Sequence, residues 1–360
     1  MDAVPVRRQE VVPTPIPESE DLVAQPKAHQ VTLRSIADQL GLHVSTVSRV
    51  LNGRADDGAR AASGDTAARI RRLAKELGYQ PDPHGSGLRT GRSRLVGVLV
   101  PRLSDLVLAM IYEGIDEAAG ELGLTTITAN SRDDERTRRL RTKMLLARRV
   151  DGLIFGDASL DSSFLSELAA DGGKFVLVNR RVGDQPSVTA DDVQGGRLAA
   201  EHLLGLGHVD VAIIAGEPYA STGVDRTAGF VGYYRERGLA APRVLHSSFD
   251  TAGGRAAAES LLSGPDRPTA IFAVNDFAAI GAMGAARDHG LTVGADLAIM
   301  GYNDTPLAAE LPLPLTSVAI PVREMGRLAL RALTRLLAGE EVKSERLAPT
   351  LVARASTARL

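Results

Sequence analysis

The chain of 360 residues contains no cysteine and no tryptophan, and only 4% of its residues are aromatic. Without cysteine, disulfides, thiolate-ligated zinc, iron–sulfur clusters and thiol nucleophiles are excluded. No apolar run reaches the roughly 18 residues that span a bilayer, and no apolar stretch typical of a secretory signal opens the sequence. We therefore expect a cytoplasmic protein with no membrane partner.

Net charge is close to balance but unevenly placed along the chain. The formal total is −2, from 42 basic and 44 acidic residues. Residues 27–94 carry 12 Lys and Arg against 6 Asp and Glu, whereas residues 1–26 carry 2 basic and 5 acidic residues. The remainder is acidic. The sequence thus predicts a basic N-terminal module on an acidic body, as in proteins that bind an anionic partner locally.

Motifs of common enzymes are missing. The first apolar strand is not followed by Gly-x-Gly-x-x-Gly, and the chain has neither a P-loop lysine nor a Gly-x-Ser-x-Gly elbow. The seven histidines lack metal-binding spacing, and adjacent carboxylates such as Asp191 and Asp192 point apart. We expect no enzymatic activity, no metal and no cofactor. A stand-alone solute-binding protein is the alternative class, but it would require export.

Alternating strands and helices occupy the chain from Leu95 onward. Apolar runs predict strands at 95–100, 152–155, 175–178, 211–214, 270–274 and 297–300, and helical patterns lie between them, for instance at 111–122 and 223–237. Continuously apolar strands are typical of parallel sheets covered on both faces. About 265 residues favour two doubly wound lobes. Residues 1–30, with five prolines, are expected to form a disordered tail.

Two short helical patterns joined by Gly41 precede this body. Thr32 is placed to cap the first, and the second runs from Val44 to Asn52. This spacing is typical of a helix-turn-helix. The second helix exposes Ser45, Thr46, Ser48 and Arg49, residue types that can read base edges in the major groove. A solvated face of an ordinary helical hairpin is the alternative.

Polar residues follow four of the predicted strands, where parallel sheets bind ligands. They are Arg102, Ser104 and Asp105; Asn179, Arg180 and Arg181; Asn275 and Asp276; and Tyr302, Asn303 and Asp304. Amide and carboxylate groups beside arginine suit a polyhydroxylated ligand, although Asn and Asp also favour turns.

The segment 32–53, TLRSIADQLGLHVSTVSRVLNG, resembles the DNA-binding headpiece of the LacI/GalR repressor family. The resemblance continues through RVDGLI at 149–154, AEHLLGLGH at 200–208, NDFAAIGA at 275–282 and GYNDTP at 301–306. It implies an all-α headpiece at 31–80, a hinge at 81–94 and a two-lobed core like the type I periplasmic binding proteins at 95–360. The first lobe is expected at about 95–191 and 319–345, the second at about 192–318 and 346–360.

The resemblance further implies a homodimeric, ligand-responsive repressor of palindromic operator DNA. By this likeness Ser45, Thr46, Ser48 and Arg49 face the major groove, Thr32 and Asn52 contact phosphates, and Leu88 wedges into the minor groove. A small sugar-like effector would lie between the lobes. Its expected contacts are Ser104, Asn179, Arg226, Phe249, Asn275 and Asn303.

Three positions depart from the family pattern. His43 stands where serine usually caps the second helix, so that either a frayed helix start or a contact with phosphate is expected there. The loop 54–62 is longer than usual and contains Asp56 and Asp57. Gly85 and Gly87 in the hinge weaken any helix there.

Overall fold

The computed structural model of the chain describes residues 31–52, 62–79 and 92–358. The chain divides into two compact units, residues 1–90 and 91–360. The tail 1–30, most of the loop 54–62 and most of the hinge, with Leu88, lie outside the described residues. No helix of the described part is long and apolar enough to cross a membrane.

The first unit contains three helices around a small apolar core. They are α1 (Leu33–Leu40), α2 (Val44–Asn52) and α3 (Gly64–Glu76). Thr32 and Ser35 form a capping box at the start of α1, and Gly41 ends it in the left-handed conformation at φ 65°. The core consists of Ile36, Ala37, Val47, Val50, Ala67, Ile70 and Ala74. The predicted pair of helices is therefore confirmed, and a third helix completes their core.

The second unit is built on two six-stranded sheets. The strands of the first are β1 (Leu95–Val100), β2 (Thr125–Asn130), β3 (Gly152–Phe155), β4 (Phe175–Val178), β5 (Ser187–Ala190) and β11 (Glu345–Leu347). The strands of the second are β6 (Val211–Ala215), β7 (Arg243–His246), β8 (Ala270–Ala273), β9 (Ala298–Asn303), β10 (Thr316–Ala319) and β12 (Thr350–Val352).

Both sheets have the same strand arrangement. The orders are β11-β5-β4-β3-β1-β2 and β12-β10-β9-β8-β6-β7. Every pairing is parallel except that of β12, which runs antiparallel to β10. The predicted two-lobed α/β core is confirmed. The chain passes from one sheet to the other after β5, after β10 and between β11 and β12.

Nine helices of the second unit cover these sheets. They are α4 (Leu106–Glu121), α5 (Glu135–Ala147), α6 (Phe164–Ala170), α7 (Asp192–Gly205), α8 (Ser221–Glu236), α9 (Thr251–Leu262), α10 (Asp276–Asp288), α11 (Pro306–Glu310) and α12 (Val322–Leu337), counted within 92–358. Several begin two to five residues earlier than the amphipathic pattern predicted. In α4 the first turn carries two adjacent buried residues, Val107 and Leu108. The alternation of apolar and polar residues that marks an amphipathic helix therefore starts only after this first turn.

Helices α7 and α8 cross with their backbones in contact through glycine. A Cβ on Gly196 would lie 2.0 Å from the carbonyl oxygen of Arg226, and one on Gly229 would lie 2.0 Å from that of Val193. The pairs α4–α12 and α9–α10 use the same reciprocal arrangement through Gly114, Gly326, Gly254 and Gly281. Because α7 carries Asp192 and α8 carries its ion-pair partner Arg226, this close crossing fixes the distance between these two side chains.

Gly229→Ala is expected to destabilise the core by about 1–3 kcal/mol, since the new methyl group must push α8 away from α7. Gly232→Ala in the same helix is the matched control, because a Cβ there meets no atom within 4 Å. Alanine at that position should be neutral or stabilising by up to ~1 kcal/mol. Urea unfolding measures both, and equal midpoints for the two variants would contradict the packing described.

Candidate functional site

The second helix of the first unit presents one polar and one apolar face. Val47 and Val50 are buried against α1 and α3. Ser48 and Arg49 lie three and four residues after Ser45, so these three residues share the opposite side of α2. Arg49 is exposed, whereas Ser45, Thr46 and Ser48 are half-buried. The sequence-predicted reading face is thus one continuous helical surface.

Thr32 has a structural role in addition to the predicted contact with phosphate. Its Oγ1 accepts a hydrogen bond from the Ser35 amide at 3.1 Å, which caps α1. The residue is exposed, so lone pairs and the hydroxyl proton stay accessible. Asn52 is the last residue of α2.

A cleft between the two lobes of the core brings the predicted ligand contacts together. Its inner part is lined by Asp105, Val107, Leu108, Asn179, Arg180, Thr222, Arg226, Phe249, Asn275 and Asn303. Its outer part has a volume of about 240 Å³ and shares Asp105, Leu108, Arg180 and Phe249 with the inner part. Ser104 lies in the outer part. All six expected residues therefore line one cleft, at the carboxyl ends of strands from both sheets.

Arg226 is buried in an ion pair at the base of the cleft. Only 3% of the residue is exposed, its Nε donates to Asp192 Oδ1 at 2.8 Å, and its Nη1 donates to the carbonyl of Val274 at 2.7 Å. The guanidinium carbon lies 3.8 Å from the ring centroid of Tyr302. Burial raises the pKa of Asp192, while the neighbouring Arg226 opposes that shift. The guanidinium is therefore held rigidly, with no freedom to follow a ligand.

A second buried arginine crosses the cleft. Arg180 makes a two-pronged contact with Asp133 at 2.6 and 3.1 Å, and 5% of its side chain is exposed. Its guanidinium carbon lies 5.8 Å from the rings of both Tyr219 and Phe249, which belong to the other lobe. The sequence identified Arg180 only as a residue that follows a strand. Its contacts with Asp133 and Tyr219 join segments that are far apart in the chain, so no local pattern could have predicted them.

Asp105 brings a carboxylate into the same space. Its Oδ1 accepts a hydrogen bond from the Val107 amide at 3.0 Å, which caps α4. Burial raises the pKa of Asp105, against the opposing pull of that amide and of Arg180 and Arg226. Each buried arginine of the cleft thus has a carboxylate partner, and Asp105 adds one more acid. Such a balance favours a neutral, polar ligand over an anion.

Asparagines supply the hydrogen-bonding groups of the cleft. Asn275 Oδ1 caps α10 through the Ala278 amide at 2.8 Å, and its Nδ2 donates to the carbonyl of Phe249 at 2.7 Å. Asn303 has φ 100°, and its Oδ1 is buried without a hydrogen-bond partner among the described residues. Asn179 also takes a left-handed conformation, φ 67°. A strained backbone and an unpaired buried acceptor at a cleft wall are features of binding positions.

The ring of Phe249 lies directly on Gly216. A Cβ at Gly216 would fall 2.1 Å from Cε1 of that ring, so only glycine permits this position. The ring also lines both parts of the cleft. An aromatic ring in such a cleft can pack against the C–H groups of a polyhydroxylated ligand.

Contacts at the rims of the cleft join the two lobes. Arg181 in the first lobe pairs with Asp225 in the second through bonds of 2.9 and 2.6 Å, and its amide donates to Ser221 Oγ at 2.9 Å. The amide of Leu160 donates to the carbonyl of Tyr219 at 2.9 Å. The lobes are therefore bridged by contacts at two separate places along the chain.

Histidines and acids outside the cleft have structural roles. His208 bonds Thr269 and the carbonyl of Ala358, and Asp191 caps α7. Among residues 31–52, 62–79 and 92–358, no cluster of three or more acidic or histidine side chains could hold a metal ion.

A helix-turn-helix unit followed by a two-lobed binding core defines a class of ligand-responsive regulators. Residues 32–82 match the model of bacterial regulatory proteins of the lacI family, and residues 200–357 match a periplasmic binding protein-like domain. The chain belongs to the LacI family and is a transcriptional regulator.

Relatives and solved structures agree along most of the chain. The HTH-type transcriptional regulator DegA of Bacillus subtilis is 33% identical over 345 residues, covering 92% of this chain and 99% of DegA. The lac repressor dimer bound to operator and the anti-inducer ONPF aligns with a TM-score of 0.84 at 29% identity, over 91% of this chain and 99% of the repressor. A complex of the transcriptional regulator CelR with cellobiose aligns with a TM-score of 0.69 at 29% identity, over 91% and 99%.

Proposed function

We propose that this regulator is a homodimeric repressor whose affinity for a palindromic operator is controlled by a small, neutral, sugar-like molecule in the cleft. The observation that carries the proposal is the convergence of six polar or aromatic side chains from both lobes in one cleft, in a chain that also carries a headpiece with a polar helix face. The solved lac repressor dimer on operator and the CelR–cellobiose complex support this assignment by analogy.

In this proposal the headpiece residues divide into readers and anchors. Arg49 pairs with guanine, and Ser45, Thr46 and Ser48 contact neighbouring base edges in the major groove. Thr32 and Asn52 contact phosphates and set the register of the headpiece on the DNA. Phosphate contacts of this kind do not distinguish one base sequence from another. Leu88 is assigned to the minor groove at the operator centre, on the family resemblance alone.

The cleft binds its ligand without transforming it. Within the described residues, Asp133 and Asp192 are engaged by arginines, and Asp105 and Asp250 cap helices, so these four acids already have partners. A general acid or base needs a group that is available to the substrate proton. We assign the protein to the cytoplasm, where a bacterial regulator meets its DNA.

Fluorescence anisotropy on the DNA upstream of its own gene tests the function, with a panel of sugars, nucleosides and purines added. We expect salt-dependent, sequence-specific binding that one neutral polyol weakens about 5–150-fold, the usual range of coupling between sites. Scrambled DNA is the control. Specific binding that only anionic compounds shift would contradict the ligand class, and binding equal to scrambled DNA would contradict the operator assignment at that locus.

A further inference from the structure

His43 caps the recognition helix with its ring. The Ser45 amide donates to His43 Nδ1 at 3.3 Å, and Ser45 Oγ lies 2.7 Å from the same nitrogen. The carbonyl of His43 accepts from the amides of Thr46 and Val47 at 2.9 and 3.3 Å. The sequence favoured a frayed start because histidine is a poor cap. The imidazole instead does what the usual serine oxygen does, and that expectation is wrong.

These contacts define where the ring proton lies. A backbone amide can only donate, so Nδ1 must carry a free lone pair. The neutral ring therefore holds its proton on Nε2. With Nδ1 unprotonated, the short contact to Ser45 Oγ has the serine hydroxyl as donor. The hydroxyl proton of Ser45 is consequently directed at His43 and away from the exposed face of α2.

The direction of that proton decides what Ser45 offers to DNA. A hydroxyl has one donor and two lone pairs, so a Ser45 hydroxyl bound to Nδ1 presents lone pairs alone. In the major groove the complementary groups are the amino groups of adenine and cytosine. Ser45 is four residues before Arg49 on the same face, so the two would contact neighbouring bases.

We propose that His43 is a positioning residue that sets the base preference of Ser45. This inference rests on the proposed DNA-reading role of α2. With its hydroxyl proton held by Nδ1 of His43, Ser45 selects the amino group of adenine or cytosine at one position of each half-site.

No charged side chain of the described headpiece competes with Ser45 for the His43 ring. Helix α2 packs against α1 and α3. The charged residues on the three helices are Arg34 and Asp38; Arg49; and Asp65, Arg69, Arg71, Arg72, Lys75 and Glu76. None of these has an ion pair or hydrogen bond to His43 in the described headpiece.

Selection from a randomised operator tests the proposal with the full-length chain. Wild type should prefer adenine or cytosine at one half-site position roughly fivefold, as expected for one hydrogen bond. His43→Ser should lose this preference, because the imidazole nitrogen that accepts the Ser45 hydroxyl proton is removed, and Ser45→Ala should lose it at that position alone.

Two controls separate this inference from the proposed function. His289→Ser removes an exposed histidine of the core and should behave as wild type. Nitrogen-15 NMR of the histidine rings in the DNA-free protein should show the ring proton of His43 on Nε2. A proton on Nδ1, or the wild-type preference retained in His43→Ser, would overturn the role of His43 while leaving operator binding intact. Loss of all sequence selection in wild type would overturn both.

Discussion

Replacing Arg226 with glutamine should abolish the response to effector and destabilise the core by about 3–5 kcal/mol, because Asp192 then remains buried without its partner. The structure places both side chains within 5% of full burial, which makes this pair costly to break. The double variant Arg226→Gln with Asp192→Asn should recover most of the stability, since no buried charge is left, yet remain unresponsive. Urea unfolding and effector titrations against operator-bound protein measure the two effects separately.

The single variant should also show a characteristic dependence on pH. Burial already raises the pKa of Asp192, and removing Arg226 takes away the main opposing charge. In the window above the carboxyl's usual value, the native state then binds more protons than the unfolded state. The free energy of unfolding therefore falls as pH rises through that window. A normal effector response in the single variant would show that Arg226 lies outside the ligand site.

Arg49→Ala should weaken operator binding about 10–100-fold for each half-site, the expected loss of a two-pronged contact with guanine. Stability should stay within about 0.5 kcal/mol of wild type, because the side chain is exposed. Arg49→Lys keeps the charge but not the planar fork, so specificity should fall while salt-dependent, non-specific binding persists.

Arg72→Ala is the matched control for Arg49, since it removes the same charge from an exposed position on α3. It should leave base preference unchanged. Anisotropy on operators with each base exchanged at the guanine position provides the readout. An unaltered base preference in Arg49→Ala would refute the assigned role.

Local patterns predicted what depends on local physics. The capping threonine, the glycine end of α1 and the apolar strands β1, β3, β4, β6, β8 and β9 could all be inferred from neighbouring residues. The strands that were not predicted are short, polar or at sheet edges. In β2 the residues are only partly buried, and in β5 polar Ser187 and Thr189 are themselves buried. A search for continuous hydrophobic runs therefore misses both the partly buried strand and the buried polar strand.

The cleft was predictable in position but not in its charges. Strand ends identified Asn179, Asn275 and Asn303, because carboxyl ends of parallel strands converge. The partner of Arg226 is Asp192, which lies 34 positions earlier and is brought near by the glycine crossing of α7 and α8. The role of His43 was misjudged because average capping preferences do not describe what an imidazole nitrogen can accept.

The repeated passage of the chain between the two sheets dictates when each lobe can be finished during synthesis. Helix α12 packs on α4, and β11 pairs with β5, so the first lobe lacks both until residues 322–347 emerge. The second lobe waits for Ser356, whose Oγ donates to Ile299 at 2.6 Å and accepts from the Thr316 amide at 2.8 Å.

At ordinary translation rates this delay leaves β1–β5 without their full cover for on the order of ten seconds. The apolar strands of the first lobe are exposed to other nascent chains throughout that time. A premature stop a few codons before Ser356 would leave the second lobe incomplete. A premature stop before α12 would leave both lobes incomplete. Frameshifts late in the gene should therefore yield insoluble product instead of a regulator that has lost only its tail.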